Sequence, residues 1–109
     1  MNGKQIRSYC YVLDCASAIL NVLVNGKSVE AYNISNPNSV CSIRELAEAY
    51  AKAGDKKVII SAPNEKEKKG YNLMLNSALK ADKLLALGWK GEFDIETGTK
   101  HTIDILKTL

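Results

Sequence analysis

The sequence predicts an α/β domain with a short sheet and about four helices, and three observations carry that prediction. An alternating stretch at residues 5–12, rich in aromatic and β-branched side chains, runs straight into helix-forming residues. A second helix opening at Ser42 shows both a capping signal and an apolar stripe. Short strand-like runs flank that helix, so strand, helix and strand fall within about 30 residues, the length of a βαβ unit with parallel strands.

Taken in order, the first strand covers 5–12 and places Arg7 and Tyr9 on one face, because side chains alternate along a strand. Asp14 follows as a candidate N-cap, a contribution of ~1 kcal/mol, and Ala16, Ile19, Leu20 and Leu23 recur on one face of the helix it opens. Asn25 and Gly26 end that helix within NGKS (25–28). EAYNIS (30–35) reads as a strand and NPNS (36–39) as a turn. Ser42 and Glu45 form a capping box, Ile43, Leu46, Ala47 and Tyr50 make the stripe, and Gly54 stops the helix. KKVIIS (56–61) reads as a short buried strand, and residues 62–72 as a polar loop closed by Gly70 and Tyr71. A helix over roughly 81–87 turns Leu84 and Leu87 inward and stops at Gly88–Trp89, with Trp89 as a core anchor. The last helix starts after Asp94 and runs through Ile95, Thr102, Ile105 and Leu106, with His101 at an exposed position.

Composition narrows the function classes. The 109 residues suit one domain, and 46% apolar content suits a folded one. Fifteen basic and twelve acidic residues interleave to a net +3, which argues against nucleic acid as partner, since a basic face or stripe would be expected there. No apolar run approaches the ~20 residues of a membrane helix. The opening MNGKQIRSY lacks a secretory apolar region, so the expected location is the cytoplasm. Cys10, Cys15 and Cys41 lack metal-ligand spacing and read as buried free thiols, with no metal expected.

Three pieces of the chain, in order, resemble the extended short-chain dehydrogenase/reductases, the NAD-dependent nucleotide-sugar epimerases and dehydratases. They are RSYCYVLDCASAI (7–19), EAYNISNPNSVCSIRELAE (30–48), and KADKLLALGWK (80–90) with DIETGTKHTIDIL (94–106). KKGYNLM (68–74) is similar to a branch linked to bacterial surface-polysaccharide synthesis. The resemblance implies that residues 1–109 are the C-terminal substrate-binding lobe of a longer enzyme, with the N-terminal Rossmann domain absent. NAD and the catalytic residues would then belong to the parent protein, with no cofactor in this chain. The family's cofactor turn is a G-x-x-G-x-x-G, and none of the seven glycines falls at that spacing. Its proton shuttle is a Tyr-x-x-x-Lys pair, but the residues four after the five tyrosines are Leu13, Cys15, Asn36, Gly54 and Leu75. This chain alone is therefore expected not to catalyse, while the parent would epimerise or dehydrate an NDP-hexose through a 4-keto intermediate.

The same resemblance assigns candidate ligand residues. Arg7 matches the family arginine that reaches the diphosphate of a UDP- or dTDP-hexose, a role suited to a planar guanidinium. Tyr9 matches the neighbouring aromatic. Lys69 stands where a second diphosphate arginine is usual, and Asn72 near the acidic residue after it; Asn76 and Lys80 also depart from common family choices. Read without the family, Arg7 is a strand arginine lying over Tyr9, and the NEKEKK loop a solvated charged face. The lobe reading predicts an apolar face on the early strand and first helix where the missing Rossmann domain docks, and self-association through it. The alternative, a stand-alone binding or interaction module that kept the lobe and lost the chemistry, predicts a polar face there.

Overall fold

The computed structural model describes residues 3–70 and 74–109. The chain runs β1 (Ile6–Ser8), α1 (Val12–Asn25), a 3-10 turn (Pro37–Ser39), β2 (Val40–Ser42), α2 (Ile43–Gly54), α3 (Glu65–Lys68), β3 (Asn76–Ser77), α4 (Asp82–Ala86) and α5 (Ile95–Leu106). The sheet has the order β2-β1-β3. β2 pairs antiparallel with β1, Arg7 opposite Cys41, and β3 pairs parallel with it, Arg7 opposite Ser77. An α/β fold with a parallel pair is what the sequence predicted, but the pair is β1 with β3 and not the strands flanking α2.

Local signals were obeyed where they were strong. Ser42 accepts from the Glu45 N–H at 3.0 Å while Glu45 accepts from the Ser42 N–H at 2.9 Å, the reciprocal capping box. Those bonds hold the Glu45 carboxyl below its ordinary pKa. Asp94 opens α5 in the same way with Thr97, and its pKa is lowered by the hydrogen bonds from Thr97. α2 continues through Gly54 and closes one residue later than expected, on Asp55 in the left-handed region (φ 54°). The polar stretch 62–72 contains the four-residue α3, which Asn64 and Glu67 cap reciprocally; Tyr71 lies outside the described residues.

Three expectations fail for the same reason. Residues 30–35 and 56–61 carry no ladder, and β1 is three residues long where 5–12 was expected. A strand exists only where a neighbour takes its hydrogen bonds. Tyr9 shows how the extended run ends: its N–H goes to the Ser39 carbonyl (3.1 Å) and its carbonyl accepts from Asn36 (3.4 Å), so the 3-10 turn takes over from β2.

The core is small. Ala18 on α1, Ala81 before α4, Leu84 within α4 and Trp89 after it are buried together, with Cys10, Val22 and Ile34 packed against them. Gly88, at φ +90°, makes the reversal that swings Trp89 back onto α1. There the indole Nε1–H donates to Ser17 Oγ at 3.0 Å. α5 packs across α2 on the other side.

α1 faces the opposite way from the expected stripe. Its inward face is Asp14, Ala18 and Val22, spaced four apart, while Ile19 and Leu20 are more than half exposed and Leu23 and Val24 are each 78% exposed. Two small or polar side chains let α1 approach the core closely, and the larger apolar ones are left outside.

Candidate functional site

The β1–α1 junction, the Asn36–Ser39 turn and the N-terminal half of α5 converge on one set of side chains. Asp14 is at its centre. It does not cap α1: the N-cap is Tyr11, whose side chain makes no capping bond, and Asp14 lies in the first turn, only 3% exposed. Its two carboxylate oxygens accept the Glu92 and Phe93 N–H groups, both at 2.9 Å. Asn36, equally buried, closes the other side by donating Nδ2 to the Phe93 carbonyl at 2.8 Å. A Cβ at Gly91 would collide with that Asn36 amide, so glycine there permits the approach.

This clamp places Phe93 under Tyr11, with ring centroids 4.6 Å apart. His101 completes the cluster: its Nδ1 meets the Tyr11 hydroxyl at 2.6 Å, with the two rings edge to face. His101 is thus half-buried and partnered, not the exposed helix residue expected. Gly98 lies against the Tyr11 ring, where an added Cβ would come within 3.2 Å.

Beside this cluster a cleft of about 270 Å³ opens between β1, α2 and α5, lined by Tyr9, Tyr11, Leu46, Tyr50, Ile95 and Thr99 among others. Arg7 and Tyr9 are both half-buried and close enough to interact: burial and the nearby Cys41 thiol raise the Tyr9 pKa, and the Arg7 charge pulls it back. Arg7 donates Nη1 to the Ile6 carbonyl at 2.8 Å, and the rest of its fork has no partner among the described residues. Lys69, at the C-terminal end of α3, is exposed and makes no contact with Arg7 or Tyr9 among the described residues. Asn72 lies outside the described residues.

The thiols differ from their expected burial. Cys41 is buried, but Cys10 and Cys15 are half-exposed, and Cys15 Sγ donates to the Cys10 carbonyl at 3.4 Å. Burial and that neighbour push the Cys10 thiol up to about 12, so it stays protonated at neutral pH. The N-termini of α2 and α5 carry their own capping side chains, whereas that of α1 has no side-chain cap. No helix among the described residues is long and apolar enough to cross a membrane.

No protein-family profile matches the chain. It is 29% identical over 112 residues to dTDP-glucose 4,6-dehydratase 1 of Escherichia coli K12, covering 94% of this chain and 29% of that protein. It overlays UDP-glucose 4-epimerase of Bifidobacterium longum, solved with NAD+ and UDP, with a TM-score of 0.78 at 22% identity, over 96% of this chain and 31% of that one. These two, the dehydratase and the epimerase, are extended short-chain dehydrogenase/reductases. A further relative, the chloroplast stem-loop binding protein of 41 kDa b from Arabidopsis thaliana, is 38% identical over 115 residues, covering 95% of this chain and 30% of that protein. The chain spans about 30% of the length of each of these relatives and neighbours.

Neither the Asp14–Asn36 clamp nor the Tyr11–His101 pair was anticipated from the sequence. The sequence reads Asp14 only as a local cap and Asn36 only as part of a turn, and nothing local points to partners 57 to 79 residues away.

Proposed function

We propose that this chain is the C-terminal, nucleotide-sugar-binding lobe of an NAD-dependent epimerase or dehydratase that acts on a UDP- or dTDP-hexose through a 4-keto intermediate. The observation that carries the reading is the match to the dehydratase over 94% of this chain but 29% of the relative. With neither a glycine-rich turn nor a Tyr-x-x-x-Lys pair, the chain does not catalyse by itself; NAD and the proton shuttle belong to a separate Rossmann domain. Arg7, from the central strand, pairs with the diphosphate, and Tyr9 bounds the same pocket. Lys69 and Asn72 are the further ligand candidates of this reading. The uncharged outer face of α1 is where that domain docks, and in its absence the same face drives self-association.

Amide-shift titration of isotopically labelled protein with UDP-glucose and with dTDP-glucose tests this, with Arg7→Ala as control. Saturable shifts at Arg7, Tyr9 and residues 69–72, lost in the variant, support the site. The absence of shifts up to millimolar ligand overturns it.

The second reading is a binding module without chemistry, favoured by the 38% identity to a protein named for stem-loop binding. A labelled RNA stem-loop in the same titration separates the two, since phosphate-driven binding would weaken steeply with salt.

A further inference from the structure

Residues 56–61 have the β-branched composition of a strand, yet no strand among the described residues pairs with them. After the Lys56 N–H donates to the Ala51 carbonyl (2.8 Å), none of residues 57–63 makes a backbone hydrogen bond to another described residue. The side chains nevertheless alternate as in a strand. Val58 and Ile60 line a hollow of about 560 Å³ beside α2, while Ile59 between them is 89% exposed. Four cations line the same hollow, Arg44 and Lys52 from α2 and Lys56 and Lys57 from the segment. Glu48, the one carboxylate lining it, is taken by Arg44 at 3.2 Å. Lys52 reaches Glu96 only at 3.8 Å, and Lys56 and Lys57 form no ion pair among the described residues.

We infer that residues 57–61 are a docking strand for an acidic, β-prone peptide segment of a partner, which adds to the edge that no described residue pairs with and sets its carboxylates against Arg44, Lys52, Lys56 and Lys57. An unpaired backbone edge with β-branched side chains is satisfied by another strand. The surplus of positive charge selects the sign of that strand's side chains. A nucleic acid fits less well, because no aromatic side chain lines the hollow for bases to stack on. A second copy of this chain fits less well too, since pairing the same segments would bring two such cation clusters together.

Fluorescence anisotropy of the full chain with a labelled peptide Glu-Val-Asp-Ile-Glu-Val-Asp tests the inference. Saturable binding is expected, weakened at least tenfold by Lys56→Glu with Lys57→Glu and lost when alternate peptide amides are N-methylated, with the circular dichroism of the variant unchanged. Equal affinity for the peptide with lysine at every acidic position, no binding at millimolar peptide, tighter binding of a labelled ten-nucleotide oligouridylate, or a dimer in sedimentation that Ile60→Lys disperses would each overturn it.

Discussion

α1 and α5 are of similar length, 14 and 12 residues, and finished to different degrees. α5 is complete for water: Asp94 and Thr97 cap it, it packs on α2, and Lys100 pairs with Asp104 at 2.8 Å on its outer side. α1 has one charged residue, Asp14, and that residue points inward. Its outer face offers Val12, Leu13, Ile19, Leu20, Leu23 and Val24 to solvent. A helix polar on one side and apolar on the other normally turns the apolar side to the core. Here the core side is held by a carboxylate and an alanine, and the larger apolar side chains of α1 stay exposed. The contrast locates the unfinished surface of the chain on α1 and assigns its anchoring to the Asp14 clamp.

Removing the anchor is the most severe way to test that contrast. Asp14→Ala strands two part-buried N–H groups and is expected to cost about 3 kcal/mol, read as a shift of the urea midpoint. Asp14→Asn, which keeps one acceptor oxygen, should fall between it and the parent chain. Leu84→Ala, at the fully buried centre of the core, is expected to cost about 3 kcal/mol as well, while Leu23→Ala on the exposed face of α1 should cost less than about 0.5 kcal/mol. If the two leucines cost the same, the outer face of α1 is not free in the isolated chain.

Removing the α5 cap with Asp94→Ala should cost about 1 kcal/mol, a smaller effect because water can replace the exposed cap. That cap also sets a pH dependence. The Asp94 and Glu45 carboxyls have folded pKa values below their ordinary ones, so their stabilisation is present above about pH 4 and is lost as pH falls through the folded values. Thermal melts from pH 6 down to 2.5 should show that loss, and it should be shallower in the Asp94→Ala variant. The smallest expected effect on stability is on the outer face itself. Leu20→Glu with Leu23→Lys should leave the melting temperature within about 3 °C while abolishing any concentration-dependent association seen by sedimentation.

Much of this was legible in advance where the signal is local. The Ser42–Glu45 box, the Asp94 start of α5, the Gly26 stop and the inward Leu84 and Trp89 depend on residues within one or two turns of each other. β2 and β3 were not legible, because two or three residues hold no periodicity to recognise. The segments 30–35 and 56–61 have strand composition without strand partners, and composition does not supply a neighbour.

By itself, then, the sequence determined the α/β class and the capped starts of α2 and α5, since each follows from short-range geometry and side-chain chemistry. Only the tertiary structure decided that Asp14 is a clamp and not a cap, that His101 is joined to Tyr11, and that α1 turns its apolar face outward. Those outcomes depend on which distant backbone groups arrive beside a buried carboxylate, and a buried charge takes the strongest donors within reach wherever they lie in the chain.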